Sequence, residues 1–253
     1  MPATVHQPVL DRALRADVER WRARGVPEPI VAILVAERMI PTLVAEPGHR
    51  HLLIVPTPGL PTTGLRRLTE MVTGLPCRRL TRVAGGADLD EGRLASFVAA
   101  PAFAVAPLRA TIDAMRWLRA VNARPIVIVD DVFDRLAAAA DRLAGDDDER
   151  RWYAVRRLGP AVVTFLASWR TAAASLPVHW LRTRDLDCDP AGVVRRAFAH
   201  AGFTPDADTL AAALAEIDIV PREIAMPLSG EQRAAVRDLA RPYAELDLSI
   251  AGL

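Results

Sequence analysis

Lysine is absent from this sequence, and all 32 basic residues are arginine. That absence excludes Schiff-base chemistry, a pyridoxal-phosphate anchor and the lysine of a nucleotide-binding phosphate loop. Cysteine is scarce as well. Cys77 and Cys188 stand far apart with no partner at metal-ligand spacing, so reduced thiols of a cytoplasmic protein are expected rather than a disulfide framework or a zinc site. A net charge of only +1 excludes the broad positive field of a general nucleic-acid binder. Long apolar runs are lacking too. The most apolar stretch, Ile30 to Ala45, is interrupted by Glu37 and Arg38 and is shorter than the ~20 residues a membrane-spanning helix needs. The opening residues carry charges every few positions, unlike a secretory leader. These features predict a cytoplasmic protein with no membrane partner.

What is present is apolar and regularly punctuated. Of the 253 residues, 51% are hydrophobic and only 5% aromatic, enough aliphatic material for one large α/β core. Val9, Leu10, Leu14, Val18 and Trp21 recur at helical spacing, Gly25 and Pro27 interrupt, and Ile30 to Val44 continues with a broad apolar face. Residues 1–48 are therefore expected as a helical N-terminal extension, and residues 49–253 as the main domain. In that domain the apolar runs His51 to Val55 and Ile126 to Val129 read as buried strands, and Val178 to Thr183 reads as another strand. Helices are expected from Thr62 or Thr63 to Gly74, and over 107–121, 132–143, 152–175, 189–200, 206–216 and 229–246. Gly159-Pro160 marks a kink in the fourth of these. Alternating strands and helices predict an α/β three-layer, P-loop-like fold with a central parallel sheet flanked by helices.

Four segments, in order, carry a family resemblance. Arg182-Thr183-Arg184-Asp185-Leu186 followed by Asp189-Pro190, Val193, Ala197, Phe198 and Gly202-Phe203 resembles the "RYEDL…DP…L…FLG" segment of bacterial sulfotransferases. Leu228 to Gln232, continuing through Tyr243 and Leu246, resembles the closing helix of that family. Upstream, Leu53 to Pro58 leading into Thr62-Thr63-Gly64-Leu65 stands where the family has its strand and "PKSGTTWL" loop. Arg124 to Leu136 stands where it has "IVLVRDPRDVAVS". The resemblance covers roughly residues 50–250 and implies transfer of a sulfuryl group from 3′-phosphoadenosine 5′-phosphosulfate (PAPS) to a small-molecule acceptor, leaving the desulfated product PAP.

Carried over position by position, the resemblance places the donor's 5′ end on Thr57, Gly59, Thr62, Thr63 and Gly64, where backbone N–H groups at a helix start would face it. The sequence departs from the family at the strongest contacts. Gly59 stands for the lysine, Leu60 and Pro61 stand for serine and glycine, and Asp130 and Ala138 stand where an arginine and a serine hold the 3′-phosphate. No histidine lies near Ala99 to Pro101, where the family has its base. Arg66 or Arg67, one turn into the helix, is positioned to supply the missing charge, and His51 is the nearest imidazole in sequence. Arg66 and His51 are thus the candidate catalytic residues.

Two other functions fit the residues. A non-catalytic relative would bind a metabolite, or a second copy of the chain as a homodimer, through the helical N-terminus. A magnesium-dependent enzyme would use Asp130, Asp131 and Asp134, three carboxylates within one helical turn. Helix capping explains those aspartates more simply, so no metal is expected.

Overall fold

The computed structural model describes residues 12–28, 30, 31, 34, 35, 38, 51–83, 85–143, 145–220 and 225–253. Val9 and Leu10, His6 and His49, and most of the helix expected over Ile30 to Val44 lie outside the described residues. Helix α1 runs Arg12–Ala23. It buries Leu14 and Val18, and the chain leaves it through Gly25 at φ +72°.

Four strands form one parallel sheet: β1 (His51–Pro56), β2 (Ala102–Val105), β3 (Ile126–Val129) and β4 (His179–Arg182), in the order β2-β1-β3-β4. Every residue of β2 and β3, and all of β1 after His51, is buried, because helices cover both faces. Strand alternation divides the side chains between two cores. Leu53, Val55, Ala102, Ala104, Val127 and Val129 face one core, and Leu52, Ile54, Phe103, Val105, Ile126 and Ile128 face the other. The first core is closed by α3 (Glu91–Val98), α4 (Ile112–Ala120), α5 (Val132–Asp141), α7 (Gly159–Ala172) and α10 (Gly230–Ala240). The second is closed by α2 (Thr63–Thr73), α8 (Pro190–His200) and α9 (Ala207–Glu216). The three-layer α/β architecture expected from the strand patterns is the one observed.

Several elements differ from the sequence reading. Strand β2 and helix α3 were not expected. Ala102-Phe103-Ala104-Val105 is short and alanine-rich, and its strand character comes from parallel pairing to β1. The helix expected over 107–121 begins only at Ile112, where the Thr111 side chain accepts from the Ala114 N–H. The long helix expected over 152–175 is two: α6 (Asp147–Arg157), started by Asp146, and α7, separated at Leu158. Pro160 has no N–H for a continuous helix to use and sits instead in the first turn of α7, where none is needed. Among the described residues no helix is long and apolar enough to cross a membrane.

The topology also shapes the carboxyl edge of the sheet. From β1 the chain goes to β2 on one side and then returns to β3 on the other, so the connections leaving β1 and β3 diverge at their carboxyl ends. In open parallel sheets such a reversal leaves a crevice that no crossover covers.

Candidate functional site

At that edge, β1 runs into Thr57-Pro58-Gly59-Leu60. Pro58 sets the first corner of a tight turn, and Gly59 takes φ +82° at the second, a backbone that a side chain disfavours. The Leu60 N–H closes the turn on the Thr57 carbonyl at 3.0 Å. Thr57 is buried, and its N–H and hydroxyl both donate to the Ile128 carbonyl at 2.9 Å. The loop is therefore anchored across to β3 by the one threonine that its sequence offers to a ligand. Leu60 turns into the core beneath α2.

Thr62 occupies the capping position of α2, but its side chain makes no cap hydrogen bond, contrary to the expected threonine cap. By contrast, α3, α4, α5, α6, α8, α9 and α10 each begin with a side chain that accepts from a first-turn N–H. The amide groups at the start of α2 are thus without a side-chain acceptor, and the positive end of the helix dipole is unneutralised by its own sequence.

Beside this turn, on the β2 side of β1 rather than between β1 and β3, lies a cavity of about 490 Å³. Thr57, Gly59, Thr62 and Arg66 form its loop side, the segment Cys77 to Thr81 its far wall, and the end of β2 its floor. The far wall is held to the sheet by a parallel bridge from Cys77 to Phe103 and by the Arg78 N–H donating to the Phe103 carbonyl at 2.7 Å. Three arginines, Arg66, Arg78 and Arg79, line the cavity, and among the described residues no carboxylate or imidazole does. Among the described residues none of the three is in an ion pair. Two acids downstream of the wall are already matched: Asp88 with Arg109 at 2.7 Å and Asp90 with Arg82 at 3.5 Å. The concave surface consequently carries uncompensated positive charge in a chain that is nearly neutral overall, which concentrates anions at its mouth. Cys77 is the other ionisable group present. Burial pushes its thiol pKa up, and the nearby Arg66 guanidinium only partly opposes that, so it stays protonated at neutral pH.

The sequence candidates divide accordingly. Thr57, Gly59, Thr62 and Arg66 meet at the cavity, whereas Thr63 and Gly64 are not among its lining residues. Gly64 serves packing instead: a Cβ there would lie 2.1 Å from the Asp218 carbonyl oxygen, so its missing side chain admits the backbone of the segment after α9. Arg67 pairs with Glu216 across to α9 and is not the charge that faces the loop. His51 lies apart from the others. It starts β1, its ring 5.1 Å from that of Phe97, and about 17 Å of extended strand separates it from the loop. Arg78 and Arg79 were not singled out from sequence, since "CRRL" carries no ligand spacing.

The three aspartates after β3 have structural partners. Asp130 accepts from the Thr183 hydroxyl at 2.6 Å and from the Asp131 N–H at 3.0 Å, and its second oxygen lies 3.7 Å from the buried Arg135 guanidinium. Asp131 caps α5 by accepting from the Phe133 and Asp134 N–H groups. Burial, then the charges of Asp131 and Asp130, raise the Asp134 pKa. Among the described residues no three His, Cys, Asp or Glu side chains converge as a metal-ligand set, so the magnesium arrangement suggested by the aspartate spacing is not formed. The segment after β4 is likewise built from its own side chains. Arg182 grips Asp185 through two 2.9 Å contacts that hold the short 3₁₀ turn 183–187. Asp189 caps α8 by accepting from the Gly192 N–H at 2.8 Å, with Pro190 in the first turn.

No family model matches this sequence, and no curated protein matches it. Solved structures do. A sulfotransferase from Alicyclobacillus acidocaldarius is 15% identical over 79% of this chain and 98% of its own, with a TM-score of 0.43. Mouse sulfotransferase SULT7A1, crystallised with PAP, is 10% identical and superposes over 83% of this chain and 94% of its own, with a TM-score of 0.53. By that superposition and its own sheet, this chain has the sulfotransferase fold.

Proposed function

We propose that this protein is a sulfotransferase-like transferase acting on a small-molecule acceptor, with residues 49–253 as the catalytic unit and residues 1–48 as an extension suited to homodimer contact. The observation that carries the reading is the cavity beside the open start of α2, lined by Arg66 and, among the described residues, by no acid.

The residues fit the phosphosulfate end of PAPS. Gly59 has nothing within 4 Å of the position a Cβ would take, so the turn is open, and the amides of α2 and the Arg66 guanidinium are donors without acceptors. Arg66 would supply the charge that the absent loop lysine cannot, and its planar fork suits a phosphate better than a point charge does. When bound, such a donor supplies the sulfuryl group: the acceptor oxygen bonds sulfur, the sulfur–oxygen bond to phosphate breaks with its electron pair leaving on phosphate, and the acceptor proton passes to solvent. Arg66 and the α2 amides would stabilise the charge appearing there.

The residues do not fit a 3′-phosphate at the tip of β3. Asp130 stands there as a carboxylate already held by Thr183 and Arg135, which repels a phosphate where the family attracts one. The donor site is therefore altered at its 3′ end, and a nucleotide without that phosphate is the better match. A non-catalytic binding protein is the second reading, favoured by the lack of any imidazole or carboxylate around the cavity to serve as base.

Titration calorimetry with PAP and with AMP tests the proposal. Binding of either that weakens at least tenfold in Arg66→Ala supports it, and no heat from either at millimolar concentration rejects it. Transfer of radiolabelled sulfate from PAPS to an acceptor pool separates the enzyme from the binding protein: label incorporation is expected for the first and none for the second.

A further inference from the structure

We infer that the far wall of the cavity is a second oxyanion subsite, and that the acceptor is itself an anion, a small molecule bearing a carboxylate, sulfate or phosphate that Arg78 and Arg79 hold. This deepens the reading above and rests on it for the word acceptor alone.

The cavity has two separately built cationic sides. Arg66 belongs to the first turn of α2 on the loop side. Arg78 and Arg79 belong to a different segment, fixed to the outer edge of β2 by the Cys77 to Phe103 bridge, with Arg66 near its Cys77 end. The two sides share a volume of about 490 Å³, far more than one sulfate or phosphate occupies. Apolar groups, among them Leu80, Val105 and Pro107, complete the lining. A ligand with an apolar body and an anionic end would satisfy both kinds of surface. A neutral acceptor would leave the half-buried Arg78 and the exposed Arg79 to water alone, while Asp88 and Asp90 on the following segment each have a cation of their own. Guanidinium forks recognise planar carboxylates and tetrahedral oxyanions with paired hydrogen bonds, which defines the ligand by its charge rather than its skeleton. The scissile end of a bound donor would meet an acceptor approaching from this wall.

Arginine side-chain NMR on the full chain tests the subsite without turnover, following the Nε–Hε signals of Arg66, Arg78 and Arg79. Inorganic sulfate is the probe, with chloride at equal ionic strength as control, first alone and then with PAP at saturation. The expected result is that sulfate shifts the Arg78 and Arg79 signals at millimolar concentration in both titrations. In Arg78→Gln/Arg79→Gln, PAP affinity should stay within threefold of the wild-type value. Sulfate that shifts Arg78 and Arg79 no more than chloride does overturns the inference. So does a response that saturating PAP abolishes, because one anion would then use all three arginines. If PAP does not bind at all and sulfate still shifts Arg78 and Arg79, the second subsite stands and the transferase reading fails.

Discussion

The Thr183 hydroxyl donates to the Asp130 carboxylate at 2.6 Å, joining the tips of β3 and β4 across 53 residues of chain. The same carboxylate faces Arg135, which is 3% exposed. A position that the resemblance reserves for a cation is thus occupied by the acid of a structural cluster.

Removing that negative charge should alter nucleotide preference. Asp130→Asn keeps an oxygen for the Thr183 hydroxyl and removes the repulsion opposing a 3′-phosphate. PAP affinity is expected to rise severalfold while AMP affinity stays level, as measured by calorimetry. Equal changes in both would place Asp130 away from the 3′ end of a bound nucleotide. Thr183→Val should lower stability by about 1 kcal/mol in urea denaturation, the usual worth of one such bond.

Gly64→Ala tests the close approach of the segment after α9. Its new Cβ would lie 2.1 Å from one carbonyl oxygen and 2.7 Å from the next. Backbone atoms cannot swing aside as a flexible side chain can, so a loss of about 3 kcal/mol is expected. Gly59→Ala meets no atom but strains a left-handed turn, and about 1 kcal/mol is expected there. A larger loss at Gly59 than at Gly64 would contradict this packing.

Arg66→Ala should separate binding from folding. The side chain is exposed and has no ion-pair partner among the described residues, so the urea midpoint should move by less than the equivalent of about 0.5 kcal/mol. Anion affinity should fall about tenfold, as for a lost hydrogen bond to a charged group.

The pH dependence should carry a contribution from His179. Burial, then the proximity of His200 and Arg196, lowers its pKa in the folded protein. The unfolded chain therefore takes up this proton first as pH falls. Stability linked to His179 is complete above its ordinary value of 6.5, and it is lost as pH drops from there through the lowered folded value. Urea midpoints at pH 7.5, 6 and 5 should fall less steeply in His179→Gln than in the wild type.

Much of this architecture was legible along the chain. Leu52 to Val55 and Ile126 to Val129 are apolar at every position, which only a strand covered on both faces requires. Pro58-Gly59 dictates a tight turn, and Asp131, Asp189 and Ser229 announce the helices they cap. These signals are local, because a cap, a turn or an alternation involves residues a few positions apart. β2 escaped notice because alanine has little strand preference of its own and the pairing to β1 is long-range.

The sequence by itself determined a lysine-free, nearly neutral α/β chain with strand and helix segments in this order, and a loop without its expected cation. Tertiary structure alone decided that Arg66 shares a cavity with Arg78 and Arg79, and that Gly64 packs against the backbone of the segment after α9. The physical reason is that periodicity records which face a side chain takes within its own element. Which charges end up sharing one concave surface is set by the order of strands in the sheet, and that order is fixed by contacts between residues distant in the chain.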